Sequence, residues 1–128
     1  MSRIVLDASA LLVLLNREPG WEKLPPERLL GATLSAVNLA EVHFKLVQRG
    51  VPLEEAWDDA RGPIAETVPF TEEQARIAGG LVAVGKPLGL SLGDRACLAL
   101  ALTLKAQVYT ADRAWKRLKL GIRIHVIR

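Results

Sequence analysis

Apolar and polar positions along the chain follow two rhythms that take turns. Arg3–Asp7 (RIVLD) is a β-branched apolar run ended by an acid, which reads as a strand. It passes at once into Ser9–Leu15, an apolar helical stretch closed by Asn16 and Pro19. Pro26–Leu30 predicts a short helix with proline in its first turn, and Ala32–Ser35 (ATLS) a short strand. Val37–Arg49 carries apolar residues at helical spacing and stops at Gly50. Leu53–Arg61 is a further amphipathic helix, ended by Gly62-Pro63. Thr67–Phe70 (TVPF) is extended, and Pro69 assigns it to a sheet edge or a strand end. Thr71–Val84 opens with the capping-box pattern Thr71-Glu72-Glu73-Gln74 and is expected to run as one helix through Gly79-Gly80. Ser91–Leu104 is nearly all apolar, hence a buried helix. Gln107–Thr110 (QVYT) and Ile124–Ile127 (IHVI) are strands, with a basic helix over Asp112–Leu118 between them. Strands alternating with helices from end to end predict an α/β fold, a parallel sheet covered on both faces.

At 128 residues, half of them hydrophobic and 24% charged, the chain is expected to form one domain over residues 1–128 and is no disordered segment. A chain of this size buries about two-thirds of its unfolded surface, so folding needs no metal or disulfide. The single Cys97 has no partner for an intramolecular bridge, and His43 and His125 lie too far apart for zinc-finger spacing. A reducing cytoplasm is the expected compartment. The apolar N-terminal stretch is interrupted by Asp7 and ends at Asn16, too short to span a bilayer and unlike a signal peptide. Charge is distributed unevenly. Lys105, Arg113, Lys116, Arg117, Lys119, Arg123 and Arg128 face the single acid Asp112 over residues 105–128, a net of +6 in a chain of +3. A basic end of this kind suits a polyanionic partner, nucleic acid first, or is a solvated helix face. The mean hydropathy of +0.20 with few aromatics indicates an aliphatic excess, which predicts a homodimer or another protein interface.

In open α/β sheets ligands bind beyond the carboxyl ends of the strands, and topology alone places four acids there. Asp7 ends the first strand, and Asp112 follows Gln107–Thr110 by one residue. Asp94 lies in the first turn of the helix that leads back to that strand, and Glu41 in the second turn of the helix after Ala32–Ser35. Each has a purely structural account as well. Asp7 and Asp112 suit N-caps, Asp94 completes the capping box Ser91-Leu92-Gly93-Asp94, and Glu41 stands four residues before Lys45. Taken jointly the pattern favours a site. After Glu73 the chain holds only two acids, and both fall on this rim.

Clustered carboxylates repel one another unless cations neutralise them. Oxygen donors without His or Cys select Mg²⁺ or Mn²⁺ over zinc, and four negative charges match two such ions. Two ions about 4 Å apart clamp the attacking and leaving oxygens of a phosphodiester displacement. The basic segment after Asp112 then offers Arg113, Lys116 and Arg117 to flanking phosphates.

The segments VLDASAL around Asp7, SAVNLAEV around Glu41, LSLGDRACLALA around Asp94 and VYTADRAW around Asp112 resemble the PIN-domain proteins, specifically the VapC-type toxin ribonucleases of toxin–antitoxin pairs. They span nearly the whole chain in the family's order. The resemblance implies a three-layer sandwich around about five parallel strands, a homodimer, a cognate antitoxin and Mg²⁺- or Mn²⁺-dependent endoribonuclease activity. It implies Asp7, Glu41, Asp94 and Asp112 as the acidic quartet, with Asp7 and Asp94 the foremost metal ligands. Ser9 and Thr110 are candidate supports for the carboxylates, each with an ordinary local role as the alternative. Asn38 and Ser35 suit caps or the shaping of the chain near Glu41, and Arg95 a contact to phosphate or to a neighbouring acid. Trp115 suits stacking on a base or, better, packing, while Trp21 and Trp57 are expected in the core or an interface. His43 and His125 are expected to be structural, and Cys97 to be a buried thiol with no role as nucleophile.

Other functions fit less well. A catalytically silent module gripping a basic protein partner through the same rim would keep the acids without the chemistry. A phosphoaspartyl enzyme needs a second Asp two residues after the first, where this chain has Ser9. A nuclease acting on DNA shares the metal chemistry, since carboxylates do not read the 2′-hydroxyl. Among RNAs, a structured substrate such as a transfer or ribosomal RNA loop is expected, because loops expose their bases.

Overall fold

The computed structural model describes residues 3–24 and 26–128. Five strands, β1 (Ile4–Leu6), β2 (Ala32–Ser35), β3 (Glu66–Val68), β4 (Gln107–Thr110) and β5 (Ile124–Val126), form one sheet in the order β3-β2-β1-β4-β5. Every pairing is parallel. The helices are α1 (Ala8–Asn16), α2 (Pro26–Leu29), α3 (Ala36–Gln48), α4 (Leu53–Arg61), α5 (Glu72–Gly80), α6 (Val82–Leu88) and α7 (Leu92–Leu104). Short 3₁₀ turns cover Trp21–Lys23 and Arg113–Arg117. The predicted α/β sandwich is the architecture found.

Alternation along β1 assigns its residues to two cores. Ile4 and Leu6 face the helices α1, α3 and α4, packing with Leu11, Leu34, Val42 and Leu46. Val5 points to the other side, where Leu98, Leu100, Val108 and Trp115 gather under α7. Strands covered on both faces read as unbroken apolar runs, which explains why β1 shows no polar position. β3 and β5, at the two edges, are only half covered. β3 ends before Pro69, whose missing N–H ends the ladder.

Three expectations need correction. The helix predicted over Thr71–Val84 is two helices, α5 and α6, parted at Leu81. Gly79-Gly80 closes the first, because glycine gives a helix interior little support, and α6 continues to Leu88 despite Pro87. The basic helix over Asp112–Leu118 is only the 3₁₀ turn Arg113–Arg117. Of the two places expected for Trp21 and Trp57, the core is excluded: they are 39% and 37% exposed, each with an arginine guanidinium over its ring.

The chain runs from β1 outward to β2 and β3, then crosses back through α5–α7 to β4 on the other flank of β1. The carboxyl ends of β1 and β4 therefore flank the point where strand order reverses, the position at which open α/β sheets leave a crevice.

Candidate active site

β1 and β4 are in register from Ile4↔Gln107 to Leu6↔Tyr109, and the Asp7 N–H extends the ladder to the Tyr109 carbonyl at 3.2 Å. Asp7 follows as the N-cap of α1 and is only 3% exposed. Its Oδ1 accepts from the Ala10 N–H at 2.8 Å and the Ser9 hydroxyl at 2.7 Å. Its Oδ2 accepts from the Thr110 hydroxyl at 2.6 Å. Ser9 Oγ in turn accepts from the Ala111 N–H at 2.9 Å, and Thr110 Oγ1 from the Asp112 N–H at 3.1 Å. Ser9 and Thr110 thus lock both Asp7 oxygens and knit the start of α1 to the end of β4.

Every partner of Asp7 in this network is a neutral donor. Burial pushes its carboxyl up from the ordinary 3.8 to about 6, against the hydrogen bonds from Thr110, Ala10 and Ser9, which lower it. The charge of Asp94 adds to the rise. Asp94 stands in the first turn of α7, where its Oδ2 accepts from the Ser91 N–H at 2.9 Å and Ser91 Oγ accepts from the Asp94 N–H at 3.1 Å, a complete capping box. Glu41 comes from the second turn of α3. Its Oε1 accepts from Asn38 Nδ2 at 2.8 Å, and the same Nδ2 donates to the Gly93 carbonyl at 3.0 Å. Beneath them Cys97, one turn further along α7, is wholly buried, and its thiol is pushed well up by burial and by the charges of Asp7, Asp94 and Glu41. Asp7 thus feels the charge of Asp94, and the Glu41 carboxylate lies against Gly93, the chain neighbour of Asp94.

Asp112 is less closely joined. Its carboxylate caps the 3₁₀ turn by accepting from the Ala114 N–H at 2.9 Å, and only its N–H reaches the network, through Thr110. Among the described residues no three Asp, Glu, His or Cys side chains converge as a ready set of metal ligands.

Other candidates sort as follows. Ser35 caps α3 through the Val37 N–H. Asn38 is no cap: it bridges α3 to α7 from a buried position. Glu41 makes no ion pair with Lys45. Arg95 lays its stem beside Gly85 of α6. Lys116 and Arg117 are exposed, whereas Arg113 spends its Nε–H on the Arg128 carbonyl at 3.2 Å. Trp115 is fully buried, which removes it from any base-stacking surface. Gly93 went unnoticed in the sequence; its signal is contact with Glu41, which no local pattern carries. Away from the rim, a groove of about 590 Å³ between α3 and α4 is lined by Leu39, His43, Phe44, Leu53 and Trp57.

An all-parallel three-layer α/β protein with a carboxylate rim at its switch point is the class defined by this fold and site. The chain belongs to the PIN domain family, whose model matches residues 4–120. No curated protein matches it significantly in sequence. Among solved structures it is similar to DNA-bound VapBC from Salmonella typhimurium, with a TM-score of 0.76 at 17% identity and full coverage of both chains. It is also similar to VapBC2 from Rickettsia felis bound to a DNA fragment from their promoter (TM-score 0.73, 18% identity, 98% of each chain). VapBC-5 from Mycobacterium tuberculosis, a member of the VapBC family of toxin–antitoxin systems, is similar with a TM-score of 0.61 at 21% identity, covering 100% of this chain and 99% of that one. At such identities the likeness is one of fold. No described helix is long and apolar enough to cross a membrane.

Proposed function

We propose that this PIN-domain protein is a divalent-metal-dependent endoribonuclease, the toxin of a type II toxin–antitoxin pair. The observation that carries the reading is Asp7: a buried carboxylate, raised to about 6, tied to neutral donors only and within reach of the Asp94 charge. Such a group lacks a positive partner, and its surroundings offer hard oxygen donors, which fit Mg²⁺ or Mn²⁺. Asp7 and Asp94 would hold the ion, with Glu41 and Asp112 completing the acidic quartet around one or two of them. When bound, the metal supplies Lewis-acid polarisation of the phosphodiester and activation of water. The chain does the rest. Ser9 and Thr110 fix the orientation of Asp7, the Asn38 amide fixes Glu41, and Lys116 and Arg117 beside Asp112 attract the flanking phosphates, with Arg113 adding charge.

The substrate is RNA with an accessible single-stranded loop, such as a transfer or ribosomal RNA loop, whose unstacked bases a small domain can reach. A cognate antitoxin and a second copy of the chain are the protein partners. Support comes from exposed apolar side chains, Phe44 and Leu53 in the α3–α4 groove and Val82 and Leu92 beyond it, together with the VapBC neighbours. The test is cleavage of a mixed RNA pool and of single-stranded DNA with Mn²⁺, Mg²⁺ or EDTA, beside Asp94→Asn. Metal-dependent cutting of RNA that vanishes in Asp94→Asn is expected. Inactivity in every metal would leave a partner-binding module with an acidic rim.

A further inference from the structure

Gly93 is buried at the second position of α7, between Leu92 and Asp94. Nothing in the backbone asks for glycine there: the left-handed glycines of the chain are Gly20, Gly50, Gly89 and Gly121. Glycine is also a poor residue for a helix. What it contributes is space. A Cβ at this position would lie 2.2 Å from Glu41 Oε1, 2.5 Å from Cδ and 2.7 Å from Oε2. All three atoms belong to the end of one flexible side chain.

We propose that Gly93 is a positioning residue for Glu41: the missing side chain lets the Glu41 carboxylate lie against the first turn of α7, beside Asp94. Asn38 completes the cradle. Its Nδ2 holds Glu41 Oε1 and the Gly93 carbonyl together, at 2.8 and 3.0 Å, so one amide ties α3, α7 and the carboxylate. Burying that amide serves these two bonds and little else, since its Oδ1 has no hydrogen-bond partner. A methyl group at 93 would force the carboxylate from 2.2 Å out to at least 3.4 Å, the start of ordinary contact. The bond from Asn38 Nδ2 to Glu41 would break, while the bond from the same Nδ2 to the carbonyl of residue 93 persists. A shift of about 1 Å in a reacting or metal-holding group costs up to roughly 100-fold.

The inference rests on the nuclease reading, and the experiment separates the two. Full-length protein freed of metal is titrated with Mn²⁺ by calorimetry, melted in EDTA, and assayed for single-turnover RNA cleavage. The variants are Gly93→Ala, Glu41→Gln, the two combined, and Gly93→Ala with Glu41→Asp. Gly93→Ala is expected to melt in EDTA no lower than wild type, because the displaced group is a side-chain end. It should weaken Mn²⁺ binding and slow cleavage by roughly tenfold to 100-fold. Glu41→Gln should do the same, with no further loss in the double variant. Shortening the arm in Glu41→Asp clears the methyl and restores part of both. Wild-type behaviour of Gly93→Ala, or losses that add to those of Glu41→Gln, would overturn the assignment while the nuclease stands. Loss of activity with a lowered melting temperature would also overturn it, making Gly93 a packing residue. Wild-type protein that binds no Mn²⁺ and leaves RNA intact would sink the nuclease reading and the inference together.

Discussion

Replacing Asp7 with Asn is expected to stabilise the metal-free protein at neutral pH and, on the proposed nuclease reading, to abolish RNA cleavage. The carboxyl titrates near 3.9 in an unfolded chain and at about 6 in the fold, because burial disfavours its charge. A raised acid favours folding only while protonated. Its contribution is complete below about pH 4, falls as pH rises toward 6, and is gone above that. The shift of about 2 units corresponds to about 3 kcal/mol at roughly 1.4 kcal/mol per unit. An Asn side chain never ionises, and its oxygen still accepts from Ser9 Oγ and the Ala10 N–H. Its amide must donate to Thr110, whose hydroxyl turns away, at a cost of about 1 kcal/mol. The stability of Asp7→Asn relative to wild type should therefore climb from slightly negative at pH 4 to about +2 kcal/mol at pH 8. For a chain of this size that is a rise in melting temperature of roughly 5–10 °C. Thermal and urea melts of both proteins in EDTA, from pH 4 to pH 8, measure the difference directly. An offset that does not change with pH, or a variant less stable at pH 8, would refute the reasoning and make the ionised carboxylate a stabilising cap.

Mn²⁺ should reverse that order at pH 8. At 100 times its dissociation constant it would stabilise wild type by about 2.7 kcal/mol, while leaving the melt of Asp7→Asn nearly unmoved. Lys116→Ala with Arg117→Ala should weaken RNA binding and reduce the slope of log affinity against log salt by up to about 1.4, since each phosphate contact on a single strand contributes roughly 0.7. Unequal Mn²⁺ affinities in calorimetry would show that this pair does more than hold phosphate. Trp115→Ala should cost about 3–5 kcal/mol in urea melts, as expected of a fully buried aromatic and not of a base-stacking one.

The positions of these groups were legible in the sequence to different depths. β1, α7 and β4 are apolar runs bounded by polar residues, so Asp7, Asp94 and Asp112 fell at their ends by counting. The capping box Ser91–Asp94 is a local pattern and appears as such. The parting of α5 from α6 at Leu81 was hidden, since the apolar spacing continues across it and only packing decides how two glycines are used. Asn38 looked like one of several polar residues near a helix start. Its partner Gly93 lies 55 residues away, and nothing local reports a bond across that interval. Trp115 was similarly ambiguous: basic neighbours suggest a surface, yet the turn rotates the indole beneath α7.

Of the two hydroxyls that grip Asp7, one belongs to a residue 103 positions later. At a synthesis rate of about 5–20 residues per second, roughly 5–20 s pass between the emergence of β1 and that of β4. Throughout that interval a growing chain can form local helices, but β1 lacks one of its two sheet neighbours and Asp7 lacks Thr110. If the rim cuts RNA as proposed, a nascent polypeptide on the ribosome carries no assembled cutting centre while it is surrounded by the RNA of the machine making it. Competence arrives only as the fourth strand slots in.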